Sequence, residues 1–127
     1  MHQLVSFSPL HTAGVSALCA AQGWPSWTPE RTERALTGPG VVAVVALDAA
    51  GEVVGVAQML SDGAVIAYLG LLLVAERLRG QEIGRELMLE AARRTGLERF
   101  DLLSEEDALP FYESFPHKRK PGVRIYV

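Results

Sequence analysis

The chain has 127 residues, 49% of them hydrophobic and 21% charged, with a formal net charge of −3. That length and balance suffice for a buried core without metals or disulfides, and residues 1–127 read as one folded domain rather than a disordered segment. The negative balance offers no general attraction to nucleic acid or an anionic membrane, so neither is expected as a partner. Cys19 is the only cysteine, so no internal disulfide is available. Met1 to Ser6 lacks the basic start and apolar core of a signal peptide. The longest nearly apolar run, Ala64 to Ala75, falls short of the roughly 20 residues of a membrane helix. The expected location is the cytoplasm.

Leu4 to Phe7 reads as a first strand, ended by Ser8-Pro9, and a first helix is expected from about Pro9 to Ala21. Gly23 to Trp27 is a turn-rich break. Thr28-Pro29-Glu30 is a helix start, with Thr as cap and Pro in the first turn, and that helix should end near Leu36. Val41–Leu47 and Val53–Leu60 are β-branched runs joined by Asp48-Ala-Ala-Gly51, a hairpin signature. Ser61-Asp62-Gly63 turns the chain into a long strand from Ala64 to Val74, where Gly70 marks a bulge or a close approach by another backbone. Ile83, Leu87 and Ala91 repeat at helical spacing, and Gly96 caps that helix. Phe100–Leu103 is the next strand, parallel to Ala64–Val74 because a helix separates them. A short helix from about Asp107 to Phe115, a basic loop from His117 to Lys120 and a last strand, Val123–Val127, complete the order.

The segment with the sharpest chemistry is Val74-Ala-Glu-Arg-Leu-Arg79-Gly80-Gln-Glu82-Ile-Gly84-Arg85, where a buried strand feeds a helix through a turn rich in arginine and glycine. Such a turn aims free backbone N–H groups and the positive end of the helix dipole at one spot, and an anion such as phosphate is its natural occupant. The phosphate-binding P-loop needs Gly-Lys-Ser/Thr, whereas Arg85-Glu86 follows Gly84 here; the dinucleotide pattern Gly-x-Gly-x-x-Gly is not supplied either. The segment resembles the acetyl-CoA loop of the GCN5-related N-acetyltransferase (GNAT) family: Val74, Arg79-Gly80-Gln81, Ile83 and Gly84 match it, and Leu78 stands where the family has a bulky residue. Glu82 departs from it, since the family most often has glycine there. The element order fits the same family along nearly the whole chain.

The resemblance implies an α/β (α+β) fold of the acyl-CoA N-acyltransferase kind. Its sheet would be mixed and mostly antiparallel, with six to seven strands, a splayed parallel central pair and about four flanking helices. It implies that the backbone amides of Arg79, Gly80, Gln81, Glu82, Ile83, Gly84 and Arg85 hold the cofactor's pyrophosphate. Leu72, Leu73 and Val74 would offer backbone to its pantetheine arm. Ala108-Leu-Pro-Phe111-Tyr112-Glu113 resembles the family segment whose tyrosine faces the cofactor sulfur, which makes Tyr112 the expected catalytic acid for the departing thiolate. Trp24 and Trp27 lie in the loop that covers the acceptor site in this fold and are candidates for walling it, with core packing the competing role. His117–Lys120 is read first as a solvated loop.

The residues themselves name no general base. Tyr68 to Leu71 carry no acid, and Asp62, Glu30 and His11 are each better explained as structural or solvated. Cys19 has no evident histidine partner for a covalent route. The expectation is therefore acetyl transfer from acetyl-CoA, as co-substrate and without a metal, to a primary amine by direct attack in a ternary complex. A small-molecule amine ranks ahead of a protein N-terminus or lysine, and a homodimer is compatible. The alternative is a non-catalytic acyl-CoA-binding or regulatory module of the same fold, which Glu82 and the missing base would favour.

Overall fold

The computed structural model describes residues 2–127. Strand β1 (His2–Ser6) leads through a 3-10 turn at Pro9–His11 into helices α1 (Thr12–Ala21) and α2 (Pro29–Thr37). Strands β2 (Val41–Asp48), β3 (Val53–Ser61) and β4 (Ala67–Val74) follow, then a 3-10 turn at Glu76–Leu78 and helices α3 (Ile83–Thr95) and α4 (Leu109–Glu113). The strands form one sheet in the order β1-β2-β3-β4, each pair antiparallel. Local signals account for the joints. Thr28 accepts a hydrogen bond from the Arg31 amide to start α2, and Asp48 accepts from the Ala50 and Glu52 amides to shape the hairpin between β2 and β3. Gly96 ends α3 with φ 73°, a conformation that costs glycine little.

Strand alternation sends side chains to two cores. On one face Val44, Ala46, Ala57, Met59 and Leu69 pack under Ile83, Leu87, Met88 and Ala91 of α3. On the other, Val45, Val56, Leu71 and Leu73 meet Val15 and Cys19 of α1 and Leu36 of α2. Helix α3 comes close to the sheet at Gly55, where an added Cβ would stand 2.7 Å from Leu87 Cδ1. The missing side chain lets the helix settle directly on β3.

The sheet has four strands, not the six to seven expected; two stretches explain the shortfall, and a third leaves β4 shorter than expected. Residues 64–66 are apolar but do not extend β4, because the Asp62 carboxylate accepts the amides of Ala64, Val65 and Ile66 and folds them into a turn. Backbone donors engaged by a carboxylate cannot also serve a sheet ladder. Segment 100–103 runs parallel to β4 as expected, yet pairs only through an isolated bridge between Tyr68 and Asp101. Val123–Val127 alternates like a strand but forms no ladder, and Val123, Ile125, Tyr126 and Val127 are all exposed. Alternation needs a partner edge to become a strand, and this segment meets none among the described residues. Gly70 does mark a bulge: Leu69 faces Met59 and Leu71 faces Gln58, so Gly70 has no opposite number. What approaches it, however, is the Gln58 side chain rather than another backbone.

Candidate active site

The turn from β4 into α3 leaves the amides of Gly80 to Arg85 without a protein acceptor among the described residues; the first helical bond runs from Glu86 N to Glu82 O at 3.0 Å. The backbone explains why they converge. Gly80 has φ 81° and Glu82 φ 68°, followed directly by helical Ile83. A left-handed residue before a right-handed one curls successive N–H groups around one concavity, which suits an anion. Glu82 is the only non-glycine residue with positive φ among those described. Its carboxylate swings out to 3.9 Å from Arg85 Nε, and the Arg85 guanidinium lies 4.5 Å above the Phe115 ring. A cleft of about 370 Å³ opens beside this mouth, with Asp48, Arg77, Gln81 and Ile83 in its walls.

Arg79 ties the mouth to its surroundings. Its Nε donates to Val74 O at 3.1 Å and its Nη2 to Gln22 Oε1 at 2.6 Å, so the end of α1 is anchored two positions before Trp24. Trp24 is partly exposed, and its amide donates to Cys19 O. Trp27 is half-buried against the core on the α1/α2 face, and its carbonyl accepts from Ser16 Oγ. The anchor brings the 22–27 loop to the rim of the β4–α3 turn, with Trp27 committed to packing and Trp24 the freer of the two.

Among the described residues, the outer edge of β4 meets another backbone only at its start, and at its end Val74 O takes the Arg79 side chain. Leu69 N donates to Asp101 O at 2.9 Å, and Asp101 N donates to Ala67 O at 3.0 Å. Past that bridge the two segments part. Ala75 N donates to Val54 O on β3, so by alternation Leu73 also turns its backbone to β3, while Leu72 and Val74 turn theirs to the open edge. Leu72 and Val74 side chains pack on the α3-face core, as does Tyr112. Helix α4 closes on the same region: the Phe111 ring approaches Gly84, and Phe111 packs edge-on against Tyr112 and Phe115 at 5.1 and 5.5 Å. Burial raises the Tyr112 phenol above its ordinary value, which already leaves it protonated at neutral pH.

The other titratable candidates are engaged elsewhere. Hydrogen bonds from the Ala64, Val65 and Ile66 amides hold the Asp62 carboxyl below its usual range. His11 Nδ1 accepts the Ser8 amide in a capping arrangement. Cys19 is fully buried, and its thiol is pushed up to about 11 by desolvation. In the basic loop, Arg119 bonds Glu113 at 2.7 Å and His117 sits 3.7 Å from the same carboxylate. Two participants escaped the sequence reading. Gln22 carried no signal, but Gln58 did, as the one polar residue within Val53–Leu60. Among the described residues, no group of three or more His, Cys, Asp or Glu side chains gathers as a metal site, and no helix is long and apolar enough to cross a membrane.

The Acetyltransferase (GNAT) domain family matches residues 39–115, more than half of the chain. A candidate acetyltransferase from Deinococcus radiodurans is 31% identical over 98% of this chain and 87% of its own, with a TM-score of 0.81. A GNAT-family acetyltransferase from Streptococcus pneumoniae is 27% identical over 100% of this chain and 98% of its own, also at 0.81. AAC(6')-Iy, bound to a bisubstrate analogue built on CoA, shares the fold at TM-score 0.77 with 14% identity, over 100% and 97% of the two chains. Comparison with curated proteins finds no match. The chain belongs to the GNAT acetyltransferase family, whose members use acetyl-CoA.

Proposed function

We propose that this chain is a single-domain, cytoplasmic N-acetyltransferase that moves acetyl from acetyl-CoA to a primary amine by direct attack in a ternary complex. One observation carries the reading. The unpaired amides of Gly80 to Arg85 follow closely on a stretch of β4 edge that no other described strand covers, which supports reading them as an anion mouth adjoining a strand-like docking edge. Acetyl-CoA supplies an activated thioester; everything else in the reaction is asked of the chain.

In this reading the amides from Gly80 to Arg85 bind the pyrophosphate, with Gln81, Ile83 and Gly84 contributing backbone only; the Arg79 amide, expected among them, is instead bonded to Glu76 O at 3.3 Å. Arg79 has a structural share, since its guanidinium fixes the Val74 carbonyl. Leu72 and Val74 hydrogen-bond the pantetheine arm, and Leu73, turned to β3, holds the strand beneath it. Tyr112 protonates the departing thiolate. A phenol is protonated at neutral pH at its ordinary value of about 10, and burial raises it further, so it carries the proton an acid must supply. Trp24 lines the approach of the amine, a small molecule in preference to a peptide. With Asp62 and His11 engaged in turns and caps, the amine's proton leaves to water. Most of the rate then comes from positioning.

Calorimetry with acetyl-CoA tests the first half, and thiol release across an amine panel tests the second. Saturable binding followed by turnover is expected. The Glu82 carboxylate at the mouth favours a second reading, a non-catalytic acyl-CoA-binding module, which predicts binding without turnover on every amine. No binding of acetyl-CoA would overturn both.

A further inference from the structure

Gln58 stands in the wrong place for an ordinary core residue. It is 7% exposed in the middle of an apolar strand, where a carboxamide is costly unless its groups are bonded. One end is satisfied: Nε2 donates to Ala35 O at 3.0 Å. A carbonyl accepts only from a donor, so that bond fixes the amide orientation and sends Oε1 the opposite way. Oε1 has no protein donor among the described residues. It projects over Gly70, where an added Cβ would lie 2.4 Å from it. Gly70 is itself exposed although it lies inside a strand, so the bulge is a notch open to the outside, with the Leu60 side chain as its other wall.

The location of the notch gives the oxygen its meaning. Leu69 makes the last bond between β4 and segment 100–103, and Gly70 is the first residue past it. The notch therefore sits at the apex of the opening, two residues or about 6.6 Å from Leu72 along the strand. It opens on the α1/α2 face, because Gln58 reaches Ala35 of α2, whereas Tyr112 packs with the α3 face. Amine attack on a thioester is addition followed by expulsion of the thiolate, so it needs an amine held near the carbonyl carbon and an acid within reach of the sulfur; the two faces supply one each at this opening.

We propose that the Gln58 side-chain carbonyl takes a hydrogen bond from the N–H of the acceptor amine, aiming its lone pair at the thioester carbon. This rests on the acetyltransferase reading above. A neutral carboxamide is not a base; it orients the amine and leaves proton removal to water. Attack forms the C–N bond, the C–S bond breaks, and the thiolate takes a proton from Tyr112; the new amide nitrogen loses one to solvent, and solvent returns one to the tyrosinate.

The test needs no knowledge of the natural amine. Coenzyme A carrying an S-linked acetyl bridge to methylamine offers one N–H at the reacting position; the dimethylamine conjugate offers none. Calorimetry on the wild-type protein should show the N–H conjugate binding about fivefold more tightly, the worth of one neutral hydrogen bond. Gln58→Met should abolish that preference while binding coenzyme A itself as before. Gly70→Ala, whose methyl would fill the notch over Oε1 while leaving Gln58 in the chain, should do the same and covers the case in which Gln58→Met unfolds. An equal preference in the variants, or none in the wild type, overturns the proposal although acetyl-CoA still binds. Failure to bind acetyl-CoA removes the reading beneath it instead.

Discussion

Glu82 holds a backbone conformation, φ 68°, that L-residues adopt at a cost of about 1 kcal/mol or more. The family's preference for glycine at this position thereby acquires a physical cause, since the turn curls its amides inward only if this residue is left-handed. Glu82→Gly should stabilise the fold by about 1 kcal/mol, raising Tm by about 3–5 °C. It should leave acetyl-CoA affinity unchanged or tighter, because a carboxylate leaves the mouth; thermal melts and calorimetry check the two halves. A tenfold loss of affinity would mean that the glutamate serves the cofactor. Tyr112 is the converse case, where a side chain matters and its backbone does not. Tyr112→Phe keeps the edge contact with Phe111 but removes the proton, so kcat should fall by about 10²-fold while calorimetric affinity for acetyl-CoA holds. Neither residue's role could be read fully from its letter: the matched segment drew attention to both, but only φ at one and burial at the other supplied the physics.

At the scale of elements, helix α3 and its seat on β3 fix the distance between the mouth and the sheet. Gly55 is the seat, so Gly55→Val should press on Leu87 Cδ1 and cost about 1–3 kcal/mol by overpacking. Because the pressure falls on the second turn of α3, one turn from the mouth, it should weaken acetyl-CoA binding, which Gly51→Ala, strained by its φ of 82° but with open space around it, should not; titrations alongside melts distinguish the two. Both helix caps, the hairpin and the parallel direction of segment 100–103 were legible in the sequence, because Thr28, Asp48, Gly96 and the intervening helix are local signals. The extent of β4 and the fate of Val123–Val127 were not. Apolar letters at 64–66 say strand, and only the reach of the Asp62 carboxylate to three amides decides otherwise. Whether an alternating segment finds an edge depends on residues far away in the chain.

For the molecule as a whole, acid stability follows from carboxylates held below their usual range. Hydrogen bonds from Arg93 and Arg94 bring Glu90 to about 2. Glu113 is lowered by Arg119, Asp48 by the Glu52 amide and Asp62 by the Ala64 amide. Each folded value lies below the unfolded one, so their contribution is complete above the ordinary range near pH 4 and is lost as pH falls through the folded values. Tm should therefore drop between about pH 4 and pH 2, and Glu90→Gln should flatten the lower part of that fall. The candidate site is less legible than this charge pattern, because its parts are backbone amides, an unpaired edge and a carboxamide oxygen, none of which a residue letter announces. Cys19 carries one more consequence. It is the sole sulfhydryl, it is fully enclosed between α1 and the sheet, and its thiolate form is suppressed. Native protein should therefore stay silent toward a disulfide dye such as Ellman's reagent, so colour in such an assay would come from liberated coenzyme A alone. The same silence turns the residue into a clock: under mild denaturant, dye uptake should count each opening of the chain, and that rate can be followed without any added label.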